Sequence, residues 1–325
     1  MLQNLISRTL SSVQAMLRRA PQSSPQATTR YKIGELIIEL NPEHRLPLYQ
    51  SQHRLYDRFL PVLCRRLEPA DHWIIDVGAN VGDTAIAIAQ ACANPILCVE
   101  GDAEYFDLLK RNVENLLSAR ERPTRCVKVL VGTGRFSGSL ERDGTTAGLA
   151  QDIAGDHRAV PLDEVVREAG LPTGEIALVK VDTDGYDSDV ILSATGVLAA
   201  SRPILFWENY FSSRAQIRDL DQLYQCLEDM GYRYFWAFDN FGNLMLEECS
   251  VKNIRDLNAY VASQEFHGCT RTIWYTDILA ASENNLSRAR EAVEDFCSSI
   301  VAQGGTGARP SDRSEAFGDR EALQA

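Results

Sequence analysis

The sequence lacks the cysteine and histidine spacings that mark metal sites. Its eight cysteines include no Cys-x-x-Cys pair and its five histidines are scattered, so no structural zinc site is expected. It also has no apolar run of the roughly 18 residues needed to span a bilayer and no secretory leader pattern. These absences favour buried thiols in a reducing compartment, and we expect a cytoplasmic protein.

Positive charge is scarce as well. The chain has 33 Lys and Arg against 45 Asp and Glu, a formal net charge of -12. Because phosphate binding needs concentrated basic side chains, nucleic acid is not an expected partner. The dinucleotide fingerprint G-x-G-x-x-G is also missing, which disfavours a nicotinamide-dependent oxidoreductase but leaves it as an alternative.

Composition divides the chain into three parts. Residues 1–30 combine basic residues with apolar residues at helical spacing and end in the linker Pro21–Thr29. This segment is either an amphipathic helix packed on the protein or a partner, which we favour, or a membrane-surface contact through residues 1–20 or a transit peptide. Residues 31–300 are predicted to form the folded domain, and 301–325 a disordered tail.

Within residues 31–300, short apolar runs alternate with helical patterns. Continuous apolar strands separated by helices predict an α/β fold with a mostly parallel sheet covered by helices on both faces. The predicted strands are 73–77, 95–100, 126–131, 176–182, 203–208, 232–239 and 271–279, and the predicted helices are 83–93, 103–117, 188–200 and 214–230.

Acidic residues close four of these strands. They are Asp76, Glu100, Asp182 and Glu208. Ligands of such sheets bind at the carboxyl ends of the strands, and a charge placed there costs stability unless it meets water, a partner or a ligand. These four residues therefore predict the binding edge of the sheet.

The segment Asp76-Val77-Gly78-Ala79-Asn80-Val81-Gly82-Asp83-Thr84 is the strongest motif. It runs from a strand through a glycine-containing loop into a helix, where a ligand can approach the backbone closely. Glu100 ends the next strand, where a carboxylate can accept both hydroxyls of a ribose. The plainer interpretations are a helix cap for Asp76 and a solvated strand end for Glu100.

Five segments together resemble the FkbM-type family of class I methyltransferases. They read DVGANVGDT, CVEGDAEYFDLLKRNVENL, VPLDEVV, LVKVDTDGYDSDVILSA and PILFWEN. The resemblance implies a Rossmann-like, seven-stranded methyltransferase sheet with an antiparallel last strand. It also implies that residues 31–300 form a methyltransferase domain that uses S-adenosylmethionine.

The same resemblance implies the cofactor-binding residues. Asp76, Gly78, Asn80 and Gly82 would line the methionine half of the cofactor, and Glu100 would hold the ribose. Gly101, Asp102 and the segment Val131-Gly132 would flank the adenine. The remaining residues of the loop, Ala79, Asp83 and Thr84, are counted with them.

Asp182 and Asp184 are the candidates for a catalytic base or an orienting group, with Lys180 on the same side of the strand. The family commonly has E-G-x-E in this segment, whereas this chain reads Asp-Gly-Tyr-Asp after Thr183. His53, on a predicted helix over the cleft, is a further candidate. A structural ion-pair cluster and a divalent cation such as magnesium are the alternatives; the cation's possible ligands are Asp182, Asp184, Asp187, Glu208 and Asn209.

The methyl acceptor is not specified by these residues. The resemblance suggests a hydroxyl of a sugar, glycolipid or secondary metabolite, hence a small-molecule or glycan partner. N-methylation and a non-catalytic cofactor-binding module stay open. Trp207 and Tyr210 would line an acceptor pocket or belong to the aromatic core.

Overall fold

A computed structural model describes residues 28–117, 123–134, 137–143, 146–151, 157–266 and 272–302. The predicted amino-terminal segment 1–30 and the predicted tail 301–325 lie outside the described residues, except for residues 28–30 and 301–302. The division of the chain into three parts therefore stays a prediction.

The strands form one large sheet and two small ones. The large sheet has eight strands in the order β12-β11-β13-β10-β9-β3-β4-β5, and β1-β2 and β7-β6-β8 form separate antiparallel sheets. The strands are β1 (Thr29–Ile33), β2 (Leu36–Leu40), β3 (Trp73–Val77), β4 (Ile96–Glu100), β5 (Thr124–Lys128), β6 (Ser137–Asp143), β7 (Thr146–Gln151), β8 (His157–Arg158), β9 (Ile176–Val181), β10 (Ile204–Asn209), β11 (Tyr232–Asp239), β12 (Leu244–Cys249) and β13 (Thr276–Ser282).

The large sheet confirms the predicted fold class and corrects its strand count. Strands β5, β4, β3, β9 and β10 run parallel, and β13 runs antiparallel to both β10 and β11. Seven strands were expected, but β12 pairs antiparallel with β11 and adds an eighth at the edge. Since β3 lies between β4 and β9, their carboxyl ends meet at one edge of the sheet.

Helices cover both faces of this sheet, and the two hydrophobic cores lie between them and its two sides. All five residues of β3 and of β4 are buried, which explains their continuous apolar sequence. The helices are α1 (Leu46–Gln52), α2 (Phe59–Cys64), α3 (Asp83–Ala91), α4 (Ala103–Leu117), α5 (Leu162–Glu168), α6 (Asp187–Leu192), α7 (Thr195–Ser201), α8 (Arg214–Asp229), α9 (Val251–Phe266) and α10 (Leu286–Ala302).

Asn112 of α4 ties the hairpin β1-β2 to the loop after β3. Its Nδ2 donates to the carbonyl oxygens of Glu39 and Val81, and its Oδ1 accepts from the backbone N–H of Glu39. The side chain is buried, so these three hydrogen bonds are shielded from competing water.

Several predicted boundaries are wrong. The predicted helix 188–200 is two helices, α6 and α7, separated by Ser193 and Ala194. The Ser193 hydroxyl in this break donates to the carbonyl of Val190 and accepts from the N–H of Leu162. The third strand ends at Lys128 rather than at residue 131, and β13 begins at Thr276 rather than at residue 271. The sequence analysis missed the hairpin, β12, the small three-stranded sheet, α2, α5, α9 and α10.

Among the residues that the structure describes, no helix is both long and apolar enough to cross a membrane.

Candidate functional site

Gly78 allows the loop after β3 to pass very close to the end of β9. Its φ is +74°, and a Cβ built on it would lie 1.8 Å from the backbone carbonyl oxygen of Asp182. The sequence analysis attributed this glycine to close approach by a ligand. The structure shows that a neighbouring strand already requires it.

Glu100 joins the loop after β3 to the loop after β4 at the binding edge of the sheet. Its Oε2 accepts from the backbone N–H of Asn80 at 2.8 Å, and its Oε1 accepts from the N–H of Asp102 at 2.7 Å. Burial raises the pKa of Glu100 to about 7, although these backbone hydrogen bonds oppose the shift. Each oxygen keeps a further lone pair with which it can accept another hydrogen bond.

A narrow cavity of about 90 Å³ begins at Glu100. Its polar wall includes Gly78, Asn80, Gly101 and Asp102, all of them predicted cofactor residues, and its apolar wall consists of Val77, Val99, Tyr105, Val129, Leu130, Val131 and Ala159. A narrow, largely apolar cavity beside a carboxylate suits a ring joined to a hydroxylated group.

Six of the eleven predicted cofactor residues do not line this cavity, and four of the six are buried. Ala79 and Gly82 face the core, where Gly82, with φ +88°, packs against Leu109 of α4. Gly132 packs against the Asp189 carboxylate, which accepts from Thr133 and holds the loop after β5. Asp76 is fully buried beneath the loop. They support the wall and are not part of it.

Asp76 forms a buried ion pair with Lys180. The Lys180 Nζ lies 3.1 Å from Asp76 Oδ1 and 3.4 Å from Asp182 Oδ2, and it donates to the carbonyl of Gly78 at 3.3 Å. Burial lowers the pKa of Lys180, but Asp76 and Asp182 more than offset this and raise it overall. The predicted pairing of Lys180 with nearby acids is thus present, and it holds three backbone segments together.

Asp184 lies after the strand and not in it. β9 ends at Val181, and Asp184 has φ +51°. The strand therefore does not continue to Asp184, which was the condition for Lys180, Asp182 and Asp184 to alternate on one face. Asp184 still lines the narrow cavity together with Asp182. Burial first, then Asp182 and Glu100, raise the pKa of Asp184 to about 7. Strained backbone often marks functional sites, and Asp and Asn tolerate this region best.

A wide cavity of about 710 Å³ opens on the other side of the same loop. Asp83 and Thr84, which were predicted to bind the cofactor, line this cavity and not the narrow one. His53 also lines it, stacked on Phe241 with ring centroids 3.9 Å apart. His53 follows α1 as its C-cap rather than lying within a helix.

The described residues include no group of three His, Cys, Asp or Glu side chains placed to hold a metal ion. Three of the five predicted cation ligands have other contacts. Asp182 pairs with Lys180. Asp187 Oδ2 accepts from Thr183 and Gly185 within its own turn. The Asn209 side chain bonds to Asn258, Thr276 and Tyr224 in the core.

The sequence analysis missed several residues of the wide cavity. Trp207, a candidate for an acceptor pocket, is buried in the core, because alternation in β10 turns it away from Glu208. The missed wall residues are His44, Tyr49, Tyr56, Asp57, Asn240, Phe241, Trp274, Tyr275 and Asp277. Of these residues, only Asp277 could have been identified from the sequence, because it is an acidic residue within an apolar predicted strand.

The strand order, the reversed β13 and the cavities at the carboxyl ends of β3, β4 and β9 define a Rossmann-like methyltransferase fold. Residues 76–234 match the family model described as the methyltransferase FkbM domain, in agreement with the resemblance predicted from the sequence. No curated protein matches the sequence.

Solved structures similar to this chain are distant from it. An O-methyltransferase from Bacillus cereus in complex with SAH is 12% identical, with a TM-score of 0.38 over 73% of this chain and 88% of that one. A magnesium protoporphyrin IX methyltransferase from Synechocystis with bound SAM is 14% identical, with a TM-score of 0.37 over 74% and 81%. A precorrin-6y C5,15-methyltransferase from Geobacter metallireducens is 13% identical, with a TM-score of 0.35 over 68% and 86%.

Proposed function

We propose that this protein transfers a methyl group from S-adenosylmethionine to a hydroxyl of a small molecule or glycan. One observation supports this most directly: the narrow and the wide cavity meet. Gly78, Asn80, Asp182 and Asp184 line both of them. A donor in one cavity and an acceptor in the other would face each other across these four residues, as in-line transfer requires.

The narrow cavity fits the adenosine part of the cofactor. Glu100 is positioned to accept the ribose hydroxyls with its remaining lone pairs, and the apolar wall suits the adenine ring. Asp102 has a structural role instead, because its Oδ1 caps the amino terminus of α4 by accepting from the backbone N–H groups of Glu104 and Tyr105. When bound, the cofactor supplies an electrophilic methyl sulfonium.

Asp184 is the group best suited to remove the proton of the accepting hydroxyl. It lies where the cavities meet, and a pKa of about 7 leaves it partly ionised at neutral pH. A general base works best when its pKa is near the working pH. Lys180 neutralises the adjacent Asp182, so we assign Lys180 and Asp182 to orientation and Asp184 to proton removal.

The first prediction concerns cofactor binding. Wild-type protein should bind S-adenosylmethionine and S-adenosylhomocysteine with Kd values of about micromolar order, and Glu100→Gln should weaken both by about 10- to 100-fold. The amide keeps one acceptor oxygen, so one of the two backbone N–H groups that now donate to Glu100 would face an N–H donor instead. Isothermal titration measures this. Asp107→Asn on the exposed face of α4 removes one acid without touching the cavity and should bind as wild type.

Unchanged affinity in Glu100→Gln would contradict the ribose assignment. Absence of binding by the wild type would contradict the proposed function as a whole.

The second prediction concerns proton removal. Asp184→Asn keeps the shape and the tolerance of positive φ, so cofactor affinity should stay within about threefold while turnover falls about 10²-fold. The acceptor comes from a screen of hydroxylated small molecules and glycans with detection of the added methyl by mass spectrometry. Wild-type turnover should rise as pH increases through about 7, because Asp184 must lose its proton to act as a base.

That rise should be absent from Asp184→Asn. If Asp184→Asn turns over at the wild-type rate with the same pH profile, Asp184 is not the base. In that case the acids near Lys180 form a structural cluster.

A further inference from the structure

Glu208 of β10 and Asp277 of β13 lie directly opposite each other in the sheet. Cross-strand neighbours in this register have side chains within about 5.5 Å, where two like charges repel. Among the described residues, neither carboxylate has an ion-pair or hydrogen-bond partner. Both line the wide cavity and neither lines the narrow one.

The surroundings of this pair add more negative charge. Six carboxyl groups line the described part of the wide cavity, against the two strong bases Arg45 and Lys180, and Lys180 is already paired with Asp76 and Asp182. Burial and the neighbouring carboxylates, chiefly Asp182, raise the pKa of both Glu208 and Asp277. An anionic acceptor group would meet repulsion here.

Asn240 gives an independent indication of a ligand. It lines the same cavity and is 7% exposed, and its Oδ1 has no hydrogen-bond partner within the described chain. It follows β11, whose Phe238 lies opposite Asp277. An unpaired buried amide oxygen is costly and accepts only from a donor. A ligand with N–H or O–H donors that reaches this oxygen would satisfy it.

Apolar side chains also lie near the pair. A lobe of about 280 Å³ shares Glu208, Asp277 and Asp57 with the wide cavity, and Phe59, Leu60, Phe206 and Phe238 form the apolar part of its wall, beside polar residues that include Gln50, Arg58, Arg65 and Gln90. Tyr49, Tyr56 and Trp274 line the wide cavity. Aromatic faces attract cations as well as apolar groups.

We propose that the acceptor is an amphipathic amine, with its ammonium on Glu208 and Asp277, its apolar part in the lobe and its accepting hydroxyl at Asp184. This rests on the proposed function. A cation between two repelling carboxylates relieves their repulsion, and an ammonium supplies the donors that the wall lacks.

A charge series tests the proposal on the full chain saturated with S-adenosylhomocysteine. Tyramine, 4-ethylphenol and 3-(4-hydroxyphenyl)propionate share one ring and one phenol and are cationic, neutral and anionic. In isothermal titration, tyramine should bind at least about 10-fold more tightly than 4-ethylphenol, and the propionate more weakly than both. Ethanolamine, which lacks the ring, should bind more weakly than tyramine.

Glu208→Gln/Asp277→Asn should abolish the preference for the cation and leave S-adenosylhomocysteine affinity unchanged. Asp71→Asn/Glu175→Gln removes the same charges from exposed positions at the opposite edge of the sheet and should keep the preference. Single variants repeat the test if the double variant does not fold.

Three results would each overturn the ammonium site. Tyramine and 4-ethylphenol bind equally, tyramine does not bind at about 10 mM, or the cation preference survives Glu208→Gln/Asp277→Asn. Equal binding of ethanolamine and tyramine would overturn the apolar part. Weakened S-adenosylhomocysteine binding in the double variant would assign the pair to the cofactor instead. If S-adenosylhomocysteine does not bind the wild type, the proposed function itself fails.

Discussion

Lys180→Met should destabilise the protein by about 3–5 kcal/mol, since removing one partner of a buried ion pair leaves an uncompensated charge. The charge in question is Asp76, which is fully buried, with its nearest carboxylate oxygen 3.1 Å from the ammonium. The measurement is urea unfolding followed by circular dichroism, in which the midpoint should fall at an unchanged slope.

The double variant Asp76→Asn/Lys180→Met should be more stable than Lys180→Met alone, because the amide removes the stranded charge. Lys252→Met is the matched control. Lys252 pairs with Asp256 at 2.5 Å, but its side chain is 80% exposed, so its loss should cost no more than about 0.5 kcal/mol. If Lys180→Met unfolds at the same midpoint as the control, the buried pair adds nothing to stability.

Gly78→Ala should cost up to about 5 kcal/mol. A residue with a side chain pays about 1–2 kcal/mol at φ +74°, and overpacking typically adds about 1–3 kcal/mol. The upper end applies because the opposing atom, the Asp182 carbonyl oxygen at 1.8 Å, belongs to the backbone directly after β9, where the Asp182 N–H is bonded to the Val77 carbonyl, and cannot move away as the end of a side chain could.

Gly231→Ala separates the two contributions. Gly231 has φ +91°, but a Cβ there meets nothing within 4 Å, so only the backbone cost of about 1–2 kcal/mol should appear. Thermal unfolding of the two variants gives the difference. Equal losses of stability would show that the loop moves away from β9 without cost.

The binding edge of the sheet could be predicted because its signals are local. β3 and β4 are continuous apolar runs that end in Asp76 and Glu100, and the glycine loop lies between them. The position of Glu100 at the end of β4 was enough to predict that it lies beside the loop. Sequence position alone could not show that Asp76 is buried beneath the loop whereas Asp83 faces the wide cavity.

The wide cavity could not be predicted because distant segments form it. Asp57 lies between α1 and α2, and Asn240 lies in the turn after β11. Both are outside helices and strands, so no hydrophobic periodicity in the sequence indicates which way their side chains face. Asp277 was within reach, but its partner Glu208 is 69 residues away, and only the pairing of β10 with β13 brings them together. The missed helix α10 did have a signal, since Leu286, Ala289, Val293 and Phe296 recur at helical spacing.

Asn112 has a consequence for how ligand binding spreads through the molecule. Its three hydrogen bonds join β2, α4 and Val81 of the glycine loop, so the hairpin and the loop share one set of bonds across two otherwise separate sheets. A ligand that restricts the loop also restricts the hairpin. If binding at the loop orders the hairpin in this way, linkage requires that a partner that orders the hairpin raise ligand affinity at the loop by the same factor. The hydrogen bonds of Asn112 are the route by which such an effect would reach the loop from outside the central sheet.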